Sequence, residues 1–197
     1  MVTSWFALKL NAMISWPTQQ HYLQDDDLLL RPTEPADAPI MFAYIAGDAE
    51  IAEYTRVPDP YLLEHSESAI EQWCDDFEAE QVMQYAITVG GGPIVGQVTL
   101  FAINQHDHNA ELGFLLARHA RGNSLMARSV ELLCDYAFAI GFQKIYAYVD
   151  PRNIASIKTL LKAGFTQEAV LDRHMTRRDS TQGPAVMMSL WNEFDED

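Results

Sequence analysis

Apolar residues recur along this chain with two different periods, and the switch between them divides it into elements. Leu28-Leu29-Leu30-Arg31-Pro32 is a short apolar run stopped by proline and predicts a first strand. Thr33 is placed to cap a helix over residues 35–46, whose first turn is acidic. A short helix over 49–54 has to end before Pro58 and Pro60. Over residues 64–79, Ala69, Trp73 and Phe77 fall at four-residue steps, which predicts an amphipathic helix.

The period then shortens to two. Met83 to Val89 alternates, Gly90-Gly91-Gly92-Pro93 is a turn, and a strand over 94–103 completes a hairpin. A third strand covers 110–116. The helical period returns over 124–140, with Met126, Val130, Leu133, Cys134 and Ala137 on one face and Gly141 at the end. Lys144 to Val149 reads as a buried strand broken by Asp150-Pro151. Asn153 opens a helix predicted to turn Ile154, Ile157 and Leu161 inward, and Gly164 stops it. Two strands, over 165–171 and 185–191, finish the pattern. The order β-α-α-α-β-β-β-α-β-α-β-β predicts an α+β fold, a mixed central sheet flanked by helices. Residues 1–24 precede this pattern and read as an N-terminal extension, with Met13 as an alternative start. Residues 25–197 read as a single domain.

Composition narrows the function classes. The 197 residues suit one domain with a substantial core. A net charge of −15 argues against nucleic acid or an anionic membrane surface as partner, and is compatible with an amine or a basic peptide. Asp25-Asp26-Asp27 and the acidic tail from Glu193 read as solvated runs. No apolar stretch is long enough to span a bilayer. Residues 1–12 lack the charged head and clean apolar core of a signal peptide, which points to the cytoplasm. Cys74 and Cys134 form no motif and read as free thiols.

The candidate chemistry centres on Arg118 to Met126, R-H-A-R-G-N-S-L-M. A turn built on Gly122 runs straight into a helix whose first N–H groups have no intrahelical partner, and such a start favours phosphate. The alternative reading is a plain glycine turn between strand and helix. Two other segments accompany it: Glu111-Leu112-Gly113-Phe114-Leu115-Leu116 before, and Asn153-x-x-Ser156 opening the next helix, which ends in Ala163-Gly164-Phe165. His106-x-His108 would place two metal ligands on one side of a strand, but no further ligand lies nearby, and a loop is the simpler reading. His108 is also a candidate for the border of an acceptor pocket. Tyr54, Trp73, Phe77 and Tyr85 are candidates to line an acceptor cleft, with core packing as the simpler reading. The basic stretch from Arg173 to Arg178, with His174, Arg177 and Arg178, reads as a solvated loop, with contact to a ligand phosphate as the alternative.

The ordered set of strand, glycine loop and N-x-x-S, with Leu30-Arg31-Pro32-x-x-x-x-Asp37 at the front, resembles the GNAT acyltransferase superfamily and within it the RimJ/RimL-type branch. The resemblance implies a GNAT fold, acetyl-CoA as co-substrate and transfer of an acetyl group to a primary amine, a protein N-terminus or a small molecule. It implies that His119 to Ser124 is the pyrophosphate loop, with Arg121, Gly122, Asn123, Ser124, Leu125 and Met126 at the phosphates. His119 and Ser124 depart from the family's usual residues there, and Ser124 is suited to capping the helix. Backbone groups of Phe114, Leu115 and Leu116 match the positions beside the pantetheine arm.

Glu111 is the candidate base, against a plain strand-surface glutamate. Asn153 is expected at the cofactor or the strand-to-helix turn, and Ser156 near the leaving sulfur; both also suit helix caps. Leu160 stands where many relatives carry a tyrosine acid, Leu161 where the branch often has glutamate, and Met188 where it often has tyrosine. Neither cysteine lies in these segments, which favours direct attack by the amine over a ping-pong route. No metal is expected, and assembly as a homodimer is left open. Two rival readings share the fold: an acyl-CoA-binding protein with little catalysis, and a polyamine or antibiotic acetyltransferase.

Overall fold

The computed structural model describes residues 13–192. Eight strands form one sheet: β1 (Leu23–Asp25), β2 (Leu28–Arg31), β3 (Met83–Val89), β4 (Gly96–Asn104), β5 (Asn109–Leu116), β6 (Lys144–Val149), β7 (Thr166–Thr176) and β8 (Gln182–Trp191). Their spatial order is β1-β2-β3-β4-β5-β6-β8-β7. Every neighbouring pair is antiparallel except β5 and β6, so the sheet is mixed.

Alternation along the strands sorts side chains onto two faces. Met83, Tyr85 and Ile87 of β3, with Ala110 and Leu112 of β5 and Ile145 of β6, join the core built by helix α4 (Leu125–Ala139). The helix contributes Val130, Leu133, Cys134 and Ala137, the stripe expected from its period. The other face, including Ala86 and Leu115, packs on Met41 and Ile45 of helix α1 (Ala38–Ala46), Ile51 of α2 (Ala49–Tyr54) and Ile70 of α3 (Leu63–Glu78). Helix α5 (Ile154–Lys162) lies on the α4 side, with Ile157 and Leu160 in that core.

Three expectations move. The stripe of α5 is Ile157 and Leu160, while Ile154 and Leu161 are each 53% exposed. Four-residue steps drift around a helix of 3.6 residues per turn, and here the i, i+3 step from Ile157 lands inward. The boundary after residue 24 falls inside the fold. Ile14 is buried in the core, Ser15 N–H bonds Ile140 O at 2.7 Å, Trp16 Nε1 bonds Phe77 O at 3.0 Å, and β1 starts at Leu23. Residues 1–12 lie outside the described residues. The Asp25-Asp26-Asp27 turn is not simply solvated, because Arg128 of α4 bonds Asp25 and Asp27 at 2.9 and 3.1 Å.

The L-R-P-x-x-x-x-D stretch has a structural use. Arg31 closes a two-pronged pair with Asp37, Nη1 to Oδ2 at 2.8 Å and Nη2 to Oδ1 at 2.7 Å. Asp37, only 4% exposed, also accepts Glu34 N–H at 2.9 Å. The end of β2 is thereby fastened to the start of α1.

Candidate active site

The parallel pair β5 and β6 holds register only through Asn109, Ala110 and Glu111, opposite Lys144, Ile145 and Tyr146. Beyond Glu111 the two strands part, although β5 stays paired with β4 up to Leu116. Ala117 N–H bonds Val95 O at 2.8 Å, which fixes the alternation of that ladder. Leu115 opposite Gln97 is then a hydrogen-bonded rung, and Phe114 and Leu116 turn their N–H and C=O groups away from β4. Of the three backbone positions expected beside a ligand, Phe114 and Leu116 turn their groups into the gap left by β6, whereas the backbone of Leu115 is engaged with Gln97 and its side chain packs in the cluster with α1. The Leu116 carbonyl accepts Arg121 Nε at 3.0 Å.

A cavity of about 450 Å³ follows this opened edge. Phe114, Leu115 and Leu116 line it at one side, Gly122, Ser124, Leu125 and Met126 at the start of α4, and Asn153, Ser156, Lys158 and Lys162 along α5. Gly122 has φ of 93°, a conformation that L side chains rarely adopt, and a Cβ there would meet nothing within 4 Å. Space is therefore not what calls for glycine; the backbone turn is. Ser124 also stands at positive φ, 60°, and its side chain makes no cap bond. Its Oγ accepts instead from Lys162 Nζ. The expected Ser124 cap is absent because this left-handed backbone goes with a side chain turned to α5, and the first N–H groups of α4 stay open toward the cavity. Asn123 is exposed and outside the lining.

Arg121 lines the cavity, but its guanidinium is spent on the protein. Nη2 meets Asp48, the cap of α2, at 2.7 Å, and Nη1 meets Glu50, in the first turn of α2, at 2.6 Å. The cations left at this end come from α5, Lys158 and Lys162. Neither was expected from the sequence. Their signal was the i, i+4 spacing, which puts both on one helix face.

A second cavity of about 560 Å³ adjoins the first, sharing Tyr54, Thr55, Phe114, Leu115, Asn153 and Ser156. Glu111, Thr99, Gln97, Arg56, Trp73, Tyr148 and His174 complete much of its wall. Glu111 is partly buried at the point where β5 leaves β6. Burial raises its carboxyl above the usual range, and Arg56 acts weakly the other way. Asn153 Oδ1 accepts Ser156 N–H at 3.1 Å, so Asn153 caps α5 while its residue borders both cavities. Tyr54 and Trp73 line this space, whereas Tyr85 is buried in the core and Phe77 packs on Trp16.

The basic stretch is not a solvated loop. Arg177 Nε bonds Asp150 at 2.9 Å, and Arg178 donates to Ala52 O at 2.6 Å and Val57 O at 2.8 Å, tying the β7–β8 turn to α2 and the segment after it. Nor do His106 and His108 share a strand face. Both sit in the β4–β5 turn, where His108 is buried with φ of 51° and its carbonyl accepts Gln143 N–H. His108 does not line the second cavity. Among the described residues no cluster of His, Cys, Asp or Glu is arranged to hold a metal.

Asp150 ends β6 beside this wall. Bonds from Arg152 and Arg177 hold its carboxyl well below the usual carboxylate range. A carboxylate with a lowered folded-state pKa lends stability above its unfolded value, about 3.9, and loses it as pH falls toward the folded one. Thermal melts between pH 2 and 7 are expected to fall more steeply below about pH 4 in the wild type than in Asp150→Asn. Parallel curves would contradict this.

Residues 27–166 match the family described as Acetyltransferase (GNAT) domain. The chain belongs to the GNAT acetyltransferase family. This acetyltransferase is 28% identical over 159 residues to a Bacillus subtilis protein named Probable N-acetyltransferase YjcK, covering 78% of this chain and 88% of that one. Its fold superposes on Mycobacterium smegmatis RimJ solved with a CoA disulfide, with a TM-score of 0.80, 20% identity and coverage of 93% and 91%. It also matches the microcin self-immunity acetyltransferase MccE solved with acetyl-CoA and AMP, with a TM-score of 0.79, 20% identity and coverage of 85% and 94%. The GNAT fold expected from the ordered motifs is the one observed, and the acetyltransferase has no described helix long and apolar enough to cross a membrane.

Proposed function

We propose that this acetyltransferase moves an acetyl group from acetyl-CoA to a primary amine by direct attack. The observation that carries the reading is the parting of β5 from β6 immediately after Glu111. It opens the backbone N–H and C=O of Phe114, which borders both adjoining cavities, and the N–H of Leu116 in the first of them. The 450 Å³ cavity suits the CoA arm, with the open N–H groups of α4 at Ser124, Leu125 and Met126 and the ammonium groups of Lys158 and Lys162 for phosphates. The adjoining cavity suits the acceptor. The similar structures solved with CoA or acetyl-CoA support CoA as the ligand class.

Chemically, the amine nitrogen attacks the thioester carbonyl carbon, its proton passes to the Glu111 carboxylate directly or through water, and the C–S bond breaks to release CoA thiolate. An N–H at the parted edge, Phe114 being suitably turned, would hold the carbonyl oxygen as it gains charge. Ser156, which borders both cavities, would donate its hydroxyl to the departing sulfur. No cysteine is placed for a covalent intermediate. Cys134 is buried in α4 with its thiol pushed up by burial, and Cys74 lines a separate cavity with Trp16 and Pro17. Initial rates with both substrates varied are therefore expected to give intersecting double-reciprocal lines; parallel lines would show a ping-pong route.

Lys162→Met is expected to raise KM for acetyl-CoA about tenfold, the loss of one charge-assisted bond, with little change in kcat. An unchanged KM would take Lys162 out of the phosphate site. The acceptor reading that fits best is an amine-bearing peptide N-terminus or small molecule, in a soluble cytoplasmic setting.

A further inference from the structure

The acceptor cavity carries one basic side chain with no protein partner. Arginines abound at its edge, but most are committed. Arg152 bonds Asp150 at 2.8 Å and Glu53 at 3.1 Å, Arg177 bonds Asp150, and Arg178 holds backbone carbonyls of Ala52 and Val57. Arg56 lines the cavity, is exposed, and makes no hydrogen bond or ion pair among the described residues. The charged group it senses is Glu111, the candidate base. A second donor borders the same space: Gln97 is 5% exposed and lines the cavity, and its Nε2 makes no hydrogen bond within bonding geometry, although the buried Tyr44 hydroxyl, likewise unpaired, lies against the Gln97 side chain. A buried amide donor left open is costly unless a ligand fills it.

The cavity thus offers one carboxylate for an ammonium group and two donors, one cationic, for oxygen atoms. Resting on the acyl-transfer reading, we infer that the acceptor is an α-amine whose own side chain ends in a carboxylate, and that Arg56 binds that side-chain carboxylate. The chain's overall charge of −15 does not oppose this, because exposed charges more than a Debye length of about 8 Å away are largely screened and contact with Arg56 is local. A free acidic amino acid and a peptide beginning with an acidic residue share this chemistry.

The test uses the full chain and matched acceptors: glutamate against glutamine, and short peptides beginning Asp-Ala against Asn-Ala. Thiol release from acetyl-CoA gives kcat/KM for each. The expected result is a preference of about tenfold or more for the acidic member of at least one pair, carried by KM. In Arg56→Gln that ratio collapses toward one, and in Arg56→Lys it is partly kept. Comparing members of a pair within each variant cancels any effect of Arg56 on Glu111. Which pair shows the preference tells a free amino acid from a peptide. Equal or reversed preference in the wild type, or a ratio that survives Arg56→Gln, overturns the inference while leaving acyl transfer standing. Tight acetyl-CoA binding with no turnover of any acceptor overturns both.

Discussion

Glu111→Gln is expected to lower kcat/KM for the amine by about 10²- to 10³-fold, in the range that positioned general bases supply, with the KM for acetyl-CoA nearly unchanged. The substitution keeps the shape of the side chain and removes only its capacity to take a proton. Glu111 is partly buried where β5 and β6 separate, and burial raises its carboxyl above the usual range. A base must be deprotonated, so the wild-type rate should fall as pH drops through that raised value, and this acidic limb should be absent in the variant. Arg56 holds the value down, so Arg56→Gln should move the limb to higher pH. Titration of kcat/KM from pH 5 to 9 measures both. Unchanged turnover in Glu111→Gln across that range would remove the residue from the mechanism and leave it a partly buried strand glutamate.

The largest loss of stability is expected from Asp37→Ala. Asp37 is 4% exposed and accepts two bonds from Arg31 and one from the Glu34 backbone. Removing it strands a largely buried guanidinium, a change that costs about 3–5 kcal/mol where one partner of a buried ion pair is lost. For a chain of this length that corresponds to roughly a 10 °C drop in melting temperature. Arg31→Met together with Asp37→Leu removes both charges and should recover much of it. A single variant that melts within about 2 °C of the wild type would show that the pair is dispensable. The arrangement gives the L-R-P-x-x-x-x-D pattern a physical meaning: it joins the end of β2 to the start of α1 and so seats the helices that wall the acceptor cavity.

Local signals in the sequence led most directly to the framework. The change of period at Met83, the glycine turn at residues 90–92 and the stripe from Met126 to Ala137 each lie within one element and its neighbour, so their pattern needs no distant partner. The three-residue β1 was too short to show a period, and β1 takes its stability from pairing with β2. Within the site, what depended on distant contacts stayed hidden. Arg121 read as a phosphate ligand because the family resemblance puts it in the pyrophosphate loop, but Asp48 and Glu50, more than 70 positions earlier, meet its guanidinium. Lys162 reaches Ser124 from 38 positions away. The turn on Gly122 could be read as a phosphate cradle, yet which cations serve it is decided by how α2 and α5 fold back onto it.

The central claim is that the parted edge beyond Glu111 supports acetyl transfer to an amine and not acyl-CoA binding alone. Release of CoA thiol from acetyl-CoA, followed with and without a panel of amines and N-terminal peptides, tests it most directly. The account predicts release that depends on the added amine and matches the N-acetylated product mole for mole. Saturable binding of acetyl-CoA with no amine-dependent release, across the whole panel, would contradict it.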